Sequence, residues 1–295
     1  MMEVKEMHKF LRAVGFSMCQ SKKEIKEMLG VLLKETGEVL EFFRENEKLC
    51  QLSIELAPGM GICIVGEKNE DGSMEVEYYF PYLTGKEVTS TAECSIQRHT
   101  ERETFAGLLD EYRVGISLIY YLSNSIEYRL RQHKKENCNV KGSRLSGLSV
   151  RGKILFPIQK TAVQIEKSKI ASKTRSNLLE AAKNGDADAI DTLTIEDIDL
   201  YSQVTKRVEK EDLYSIIDSC FMPCGIECDQ YSVIGEIKEI DQKENYLTGE
   251  NIYDFTIEAC DLIFHVGINK NDLIGEPKVG MRFKGQIWMQ GFADF

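Results

Sequence analysis

The spacing of apolar residues changes along this chain from a helical to a strand period, which favours a fold that mixes helices with antiparallel sheet. Apolar residues recur at helical spacing near the N-terminus, at Val4, Met7, Leu11 and Val14. Apolar and polar residues then alternate, as in half-buried strands, through Leu52, Ile54 and Leu56 and through Met74, Val76, Tyr78 and Phe80. Gly61 to Val65 is predicted to be a further strand between these two, and the Asp71-Gly72 pair after it accommodates positive φ and predicts an antiparallel hairpin with the Met74 strand. A fourth strand near Lys86 to Gln97 would complete the meander.

Helices are predicted on both sides of this first sheet in the sequence. Ser21 followed by Glu24 is a capping-box pattern, which predicts that a helix begins there. A third helix, after the N-terminal one and the one at Ser21, is predicted over residues 38–47. Apolar residues recur on related faces between Glu101 and His133, which predicts one or two helices that cover the sheet.

The C-terminal part, from Tyr231 onward, is rich in short strand-like segments: VIGEIKEI, IYDFTIEA, LIFHVGI and RFKGQIWMQGF. Strands at such short spacing favour a small closed barrel, of which the OB fold is one form, because closure removes exposed edges. Their addition to the first sheet is the alternative. We therefore predict an α+β protein with an N-terminal antiparallel meander covered by helices, a helical middle segment and a small C-terminal β-barrel.

The predicted organisation has four parts. Residues 1–136 form an α+β domain, and residues 154–228 form a helical segment. Between them, residues 137–153 are predicted to be a basic loop or linker, because three glycines occur there among serines and cations. Residues 229–295 form the strand-rich C-terminal module.

Charge is strongly segregated along the chain. The whole chain has a net charge of -11, but residues 129–175 carry thirteen Lys or Arg against Glu136 and Glu166, a local charge of +11 that leaves −22 elsewhere. A partner senses this local sign, because electrostatic fields decay within about 10 Å at ordinary salt. The simplest alternative is that the basic segment pairs with acidic helices of the same chain.

The basic segment predicts a contact surface for an acidic protein or a phosphate-bearing ligand. The residues predicted to form it are Arg131, Lys134, Lys135, Arg144, Arg151 and Lys153. Nucleic-acid binding is a second interpretation, in which these cations neutralise phosphates while aromatic rings stack on bases. The rings considered for stacking are Tyr120, Tyr121, Tyr128, Phe283 and Trp288.

Cysteine spacing offers the third interpretation, a thiol- or metal-dependent enzyme. Of the nine cysteines, Cys220, Cys224 and Cys228 are the most closely spaced. Their three-residue intervals depart from the two-residue spacing of zinc knuckles, so we predict ordinary thiols, with no metal and no cofactor. No Walker, Rossmann, nucleophile-elbow or kinase motif is present, and the sequence does not favour an enzyme. His265 is predicted to be a surface or hydrogen-bonded strand histidine.

Targeting patterns favour a cytoplasmic protein. The N-terminal residues mix charged and apolar side chains and do not resemble a signal peptide. The longest uncharged stretch considered, Val114 to Ile126, is far shorter than the roughly 20 residues that cross a bilayer, so no membrane insertion is predicted.

Several strings resemble an uncharacterised bacterial family, known only as a domain of unknown function. They are EAAKNGDADAIDTLTIEDIDLYS, DSCFMPCGIECDQYSVIGEI and VGMRFKGQIWMQG, together with MHKFLRAVGFS at the start. The resemblance spans nearly the whole chain and implies a bacterial, cytoplasmic protein. It implies no catalytic residue. With the charge pattern, it favours a non-catalytic binding or scaffold protein.

Overall fold

The computed structural model describes residues 8–44, 47–69, 72–98, 104–159, 161–226 and 228–295, and it shows an α+β fold. The α-helices are α1 Lys22–Leu32, α2 Ser125–His133, α3 Ala162–Lys183, α4 Ala187–Val208 and α5 Leu213–Ile216. The strands are β1 Glu38–Arg44, β2 Glu47–Ala57, β3 Met60–Lys68, β4 Met74–Leu83, β5 Cys94–Arg98, β6 Phe105–Glu111, β7 Ile116–Leu122, β8 Gly142–Leu155, β9 Cys220–Pro223, β10 Gln230–Glu244, β11 Asn251–Ala259, β12 Leu262–Asn269, β13 Leu273–Ile274 and β14 Arg282–Asp294.

The N-terminal sheet is the predicted antiparallel meander, with strand order β1-β2-β3-β4. The capping box at the start of α1 is confirmed, since Ser21 and Glu24 bond each other's backbone N–H groups. One face of α1 is buried in the core that this sheet shares, at Ile25, Met28, Leu29 and Leu32. The helix predicted over residues 38–47 is wrong, because β1 pairs there with β2. The fourth strand predicted near residues 86–97 does not join this meander, because β5 belongs to the other sheet.

The predicted N-terminal helix lies partly outside the described residues, which exclude Val4 and Met7. Its described part is a short 3-10 helix over Lys9–Val14, followed by Gly15 at φ 92. This helix attaches the N-terminal sheet to the barrel. Arg12 forms an ion pair with Asp272 at 2.5 Å, and the Asn245 side chain donates to the Val14 carbonyl at 2.8 Å.

The second sheet contains a closed five-stranded barrel, as predicted for the C-terminal part. Its strands follow each other as β8-β12-β11-β10-β14, and β14 returns to pair antiparallel with β8. The β8–β12 pair is parallel and the other neighbours are antiparallel. The barrel core is apolar and fully buried, and it includes Phe255, Phe264, Val266, Phe283 and Ile287.

The helices predicted between residues 101 and 133 are wrong for most of that range. The structure has strands β6 and β7 there, and only α2 is helical. An apolar run such as that after Gly115 is compatible with a strand or with a helix, and pairing with strands elsewhere in the chain determines which of the two forms. Here β7 pairs with β6 and continues the barrel sheet beside β14, while Gly115 turns the chain at φ 69. The residues 99–103 lie outside the description.

The predicted linker over residues 137–153 is also wrong, because β8 begins at Gly142 and is a barrel strand. Its glycines allow close packing rather than flexibility. A Cβ on Gly147 would lie 2.8 Å from Ile287 Cδ1, and a Cβ on Gly152 would lie 2.5 Å from Phe283 Cε2. Glycine in a strand interior often marks such a close approach.

The helical middle segment is confirmed as an antiparallel hairpin of α3 and α4, which connects β8 to β9 and β10. Thr161 and Gln164 cap α3, and Asp186 caps α4. Gly185, at φ 89, forms the turn between the two helices. Across the described ranges, we find no helix with the length and apolar content needed to cross a membrane.

Candidate functional site

Strand β8 separates the predicted basic residues into two groups. Arg144 lies at its beginning and Arg151 and Lys153 lie near its end. Seven residues of extended strand span about 23 Å, so Arg144 and Arg151 cannot contact one small ligand together. The six residues therefore do not form one surface.

The first group is occupied by contacts within the chain. Arg144 forms an ion pair with Asp294 at 2.6 Å. The Arg131 guanidinium lies 5.2 Å from the ring centre of Phe295 and forms an ion pair with Glu127 at 3.1 Å. These two arginines hold the end of β14 and the helix α2 in place, which agrees with the internal-pairing interpretation.

Lys134 and Lys135 lie at the C-terminal end of α2 and are exposed. Lys135 adopts φ 55, a left-handed conformation that costs a non-glycine residue about 1 kcal/mol. They are surface cations on α2 and are not part of strand β8.

The second group forms what we term the barrel-wall basic patch, defined by Arg151, Lys153 and Lys284. Lys153 lies directly opposite Lys284 across the antiparallel β8–β14 pair. Arg151 is two residues before Lys153 and shares its face of the strand. Arg151 and Lys153 are exposed and Lys284 is half-buried. Three cationic side chains therefore lie side by side on the outer wall of the barrel.

The buried Arg282 positions one side of this patch. Its guanidinium donates to the carbonyls of Phe156, Ile217 and Tyr214, at 2.9, 2.5 and 2.7 Å. These bonds fix the short helix α5 against the barrel. Burial lowers the pKa of Arg282 below its usual value, against the attraction of Asp218.

Helix α5 in turn places Tyr214 beside Lys284. The Lys284 ammonium lies 4.1 Å from the centre of the Tyr214 ring and donates to its hydroxyl. A cation held against an aromatic ring loses part of its conformational freedom before a ligand arrives. Lys284 is therefore a pre-positioned member of the patch, and sequence reasoning missed it because it lies far from the basic segment in the chain.

Among the residues that the structure describes, the exposed cations of the patch, Arg151 and Lys153, have no ion pair. Like charges directly opposite each other on paired strands are destabilising. An anion between Lys153 and Lys284 would remove this repulsion and receive charged hydrogen bonds.

Three of the five aromatic rings considered for base stacking are inaccessible. Phe283 lies inside the barrel core and Trp288 packs against Phe10, Tyr121 and His8. Tyr120 is likewise fully buried. That part of the nucleic-acid interpretation is wrong. The exposed ring nearest the patch in sequence is Phe156, which follows β8 directly and is 81% exposed.

The three closely spaced cysteines diverge. Cys220 begins β9 and lies near Cys260, whereas Cys224 and Cys228 flank the turn after the strand. Burial raises the pKa of Cys220 and of Cys224 above the usual thiol value, which disfavours the thiolate that metals and nucleophilic catalysis require. Among the described residues no three ligating side chains gather in a way that could hold a metal ion.

Three buried ionisable side chains lie where the barrel faces the N-terminal sheet. Asp254 Oδ2 is 2.7 Å from Lys243 Nζ, and its Oδ1 is 2.9 Å from His265 Nδ1, which confirms His265 as a hydrogen-bonded strand histidine. Burial alone would raise the pKa of Asp254, but the bond with His265 and the charge of Lys243 outweigh it, so the pKa lies below its usual value.

Sequence reasoning missed this triad, because each member occupies a polar position of an alternating strand and reads as solvent-facing. A Cβ placed on Gly59 would lie 3.9 Å from Lys243 Nζ, which puts this ammonium beside the β2–β3 turn. The triad links three neighbouring barrel strands, β10, β11 and β12, and its Lys243 member lies beside the N-terminal sheet.

The fold and the patch together define a class: an α+β protein built on a closed five-stranded barrel, with a cationic outer wall and a helical hairpin between its strands. The family model that matches residues 11–291 carries the description "Domain of unknown function, E. rectale Gene description (DUF3881)", and the chain belongs to this family. Comparison with curated proteins and with solved structures finds no match.

Proposed function

We propose that this is a non-catalytic binding protein of the bacterial cytoplasm, which contacts a phosphate-bearing ligand through the barrel-wall basic patch. One observation carries the proposal. Lys153 and Lys284 lie opposite each other on paired strands, beside Arg151, and the described residues give Lys153 and Arg151 no carboxylate. Such an arrangement costs stability unless an anion is bound there.

The proposal assigns different tasks to the six basic residues. Arg151 and Lys153 contact the ligand, together with Lys284. Arg131 and Arg144 are engaged by Glu127 and Asp294 and support the fold. Lys134 and Lys135 contribute only to the general positive field around α2, which salt screens over about 10 Å.

The test measures binding of tripolyphosphate to the full-length protein by isothermal titration calorimetry, at low and at moderate salt. We expect Arg151→Gln with Lys153→Gln to weaken binding about tenfold or more, because each removes a charged hydrogen bond. The matched control, Lys134→Gln with Lys135→Gln, removes the same charge from α2 and should change affinity less than about twofold.

Equal losses in the two double variants, or affinity that does not fall as salt rises, would contradict the proposal. An acidic peptide that binds the same patch more tightly than tripolyphosphate would identify an acidic protein as the partner instead. Each arm uses the same folded protein, so circular dichroism of the variants separates lost binding from lost structure.

Single-stranded nucleic acid is a second candidate ligand, favoured by the exposed ring of Phe156 three residues after Lys153. Base stacking on an aromatic side chain contributes about 1–3 kcal/mol per base. Phe156→Ala should then weaken binding of an oligothymidylate but leave tripolyphosphate binding unchanged. If both ligands respond equally to Phe156→Ala, stacking is not the reason.

A further inference from the structure

Helix α4 is exposed along almost its whole length although it is amphipathic. Of its 22 residues only Ala189 and Leu193 are buried. Its exposed apolar side chains include Ile198 at 63% and Tyr201 at 76%. At about 100° per residue, four of the six exposed large apolar side chains of α4 fall within an arc of about 80°, which they share with Thr194 and Thr205: Ile190, Ile198, Tyr201 and Val208. An exposed apolar stripe of this kind indicates an interaction surface.

Asp191 and Asp199 lie beyond one edge of this stripe. At about 100° per residue, Asp191 lies about 20° past the edge formed by Ile198, and Asp199 lies about 100° past it, toward the opposite side of the helix. Both are exposed, and the described chain supplies neither with an ion pair. The whole helix carries five acidic and two basic residues. A partner for this face must therefore combine apolar side chains with positive charge.

The hairpin itself shows the kind of element that α4 accepts. Its neighbour α3 is a basic helix, with five cations against two glutamates. Arg175 of α3 forms ion pairs with Asp197 at 2.7 Å and Glu196 at 3.6 Å on α4. The side of α4 that bears Asp197 and Glu196 is thus already occupied by a basic helix of the same chain.

We propose that the stripe of α4 is a docking surface for a positively charged amphipathic helix of another protein. The occupant follows from charge complementarity: apolar anchors at helical spacing would cover Ile198 and Tyr201, and a flanking Lys or Arg would pair with Asp191, at the edge of the stripe. A helix of 22 residues offers about 33 Å of length, enough for four to five turns of a partner helix. This surface is separate from the barrel-wall basic patch and takes ligands of the opposite charge.

The test uses a synthetic 18-residue helical peptide of leucine and lysine, and its counterpart with glutamate in place of lysine, each labelled for fluorescence anisotropy with the full-length protein. We expect the lysine peptide to bind and the glutamate peptide to bind at least tenfold more weakly. Ile198→Gln with Tyr201→Gln should weaken the lysine peptide at least tenfold.

The matched control is Val279→Gln, since Val279 is an apolar side chain of the same exposure, 65%, outside the helices. It leaves the protein's charge unchanged, as the stripe variant does, so a general attraction between peptide and acidic protein is held constant. Asp191→Asn gives an independent check and should reduce the salt dependence of peptide binding.

Three outcomes would overturn the proposal. The stripe variant and the control could bind the lysine peptide equally, or the two peptides could bind equally. Alternatively, sedimentation could show a dimer that the stripe variant dissociates, in which case a second copy of this chain covers α4.

Discussion

Replacing Asp254 by Asn should strongly destabilise the protein, because it breaks a buried charge network. The carboxylate is 1% exposed and is the common partner of Lys243 and His265, whose side chains are 10% and 7% exposed. Asparagine keeps the size of the side chain but removes its charge. The Lys243 ammonium would then lie in a site with little water and no counter-charge.

The expected loss is about 3–5 kcal/mol in the free energy of unfolding, the range found when one partner of a buried ion pair is removed. Asp241→Asn is the matched control. Asp241 lies opposite Asp254 in the β10–β11 pair and forms an ion pair with Lys86 at 2.6 Å. Because those two side chains are about half exposed, the control should lose less than about 1 kcal/mol.

Urea unfolding at neutral pH, followed by circular dichroism, measures both changes. The reasoning requires a lower midpoint for Asp254→Asn at an unchanged m-value, since the surface exposed on unfolding is the same. A loss below about 1 kcal/mol, or a loss equal to that of Asp241→Asn, would refute the view that the buried network stabilises the barrel strands β10, β11 and β12.

Three further predictions concern pH and backbone geometry. The pKa values of Asp254 and Glu111 lie below their unfolded values despite burial. Their ionised forms therefore stabilise the fold fully above pH of about 4, and this stabilisation is lost as the pH falls through the folded pKa values. Urea midpoints should drop between pH 7 and pH 3, and they should drop less steeply in Asp254→Asn. Lys135→Gly should stabilise by up to about 1 kcal/mol, seen as a higher urea midpoint, because φ is 55 there. Gly152→Ala should cost about 1–3 kcal/mol through contact with the Phe283 ring, whereas Gly30→Ala, with open space around it inside α1, should stabilise slightly.

Sequence patterns predicted the elements whose signals are local. The β3–β4 hairpin, the capping box of α1 and the C-terminal barrel strands were accessible because alternation, caps and turns act over a few residues. Strands β7 and β8 were not, because their partners are distant. The glycines of β8 look like a linker in sequence, and only the packing of Phe283 and Ile287 against them shows why they are needed.

The candidate site divides in the same way. The concentration of positive charge was visible in the sequence, and Arg151 and Lys153 lie on the wall of the barrel. The cross-strand neighbour Lys284, and Tyr214 which positions it, lie 131 and 61 residues after Lys153 in the numbering. No local pattern predicts such pairs, because register between distant strands is set by the whole barrel.

The pairing of β14 determines the order in which this molecule can be completed on the ribosome. β14 bonds to β8 and β10 on its two sides and to β7 near its end, and all three are translated before it. Until residues 282–294 emerge, β7, β8 and β10 each hold an open edge, the kind of surface on which nascent chains aggregate. The α3–α4 hairpin is translated between β8 and β10 and lengthens the time for which the edge of β8 is unpaired. Chaperone dependence should therefore be greatest for chains stalled before residue 282.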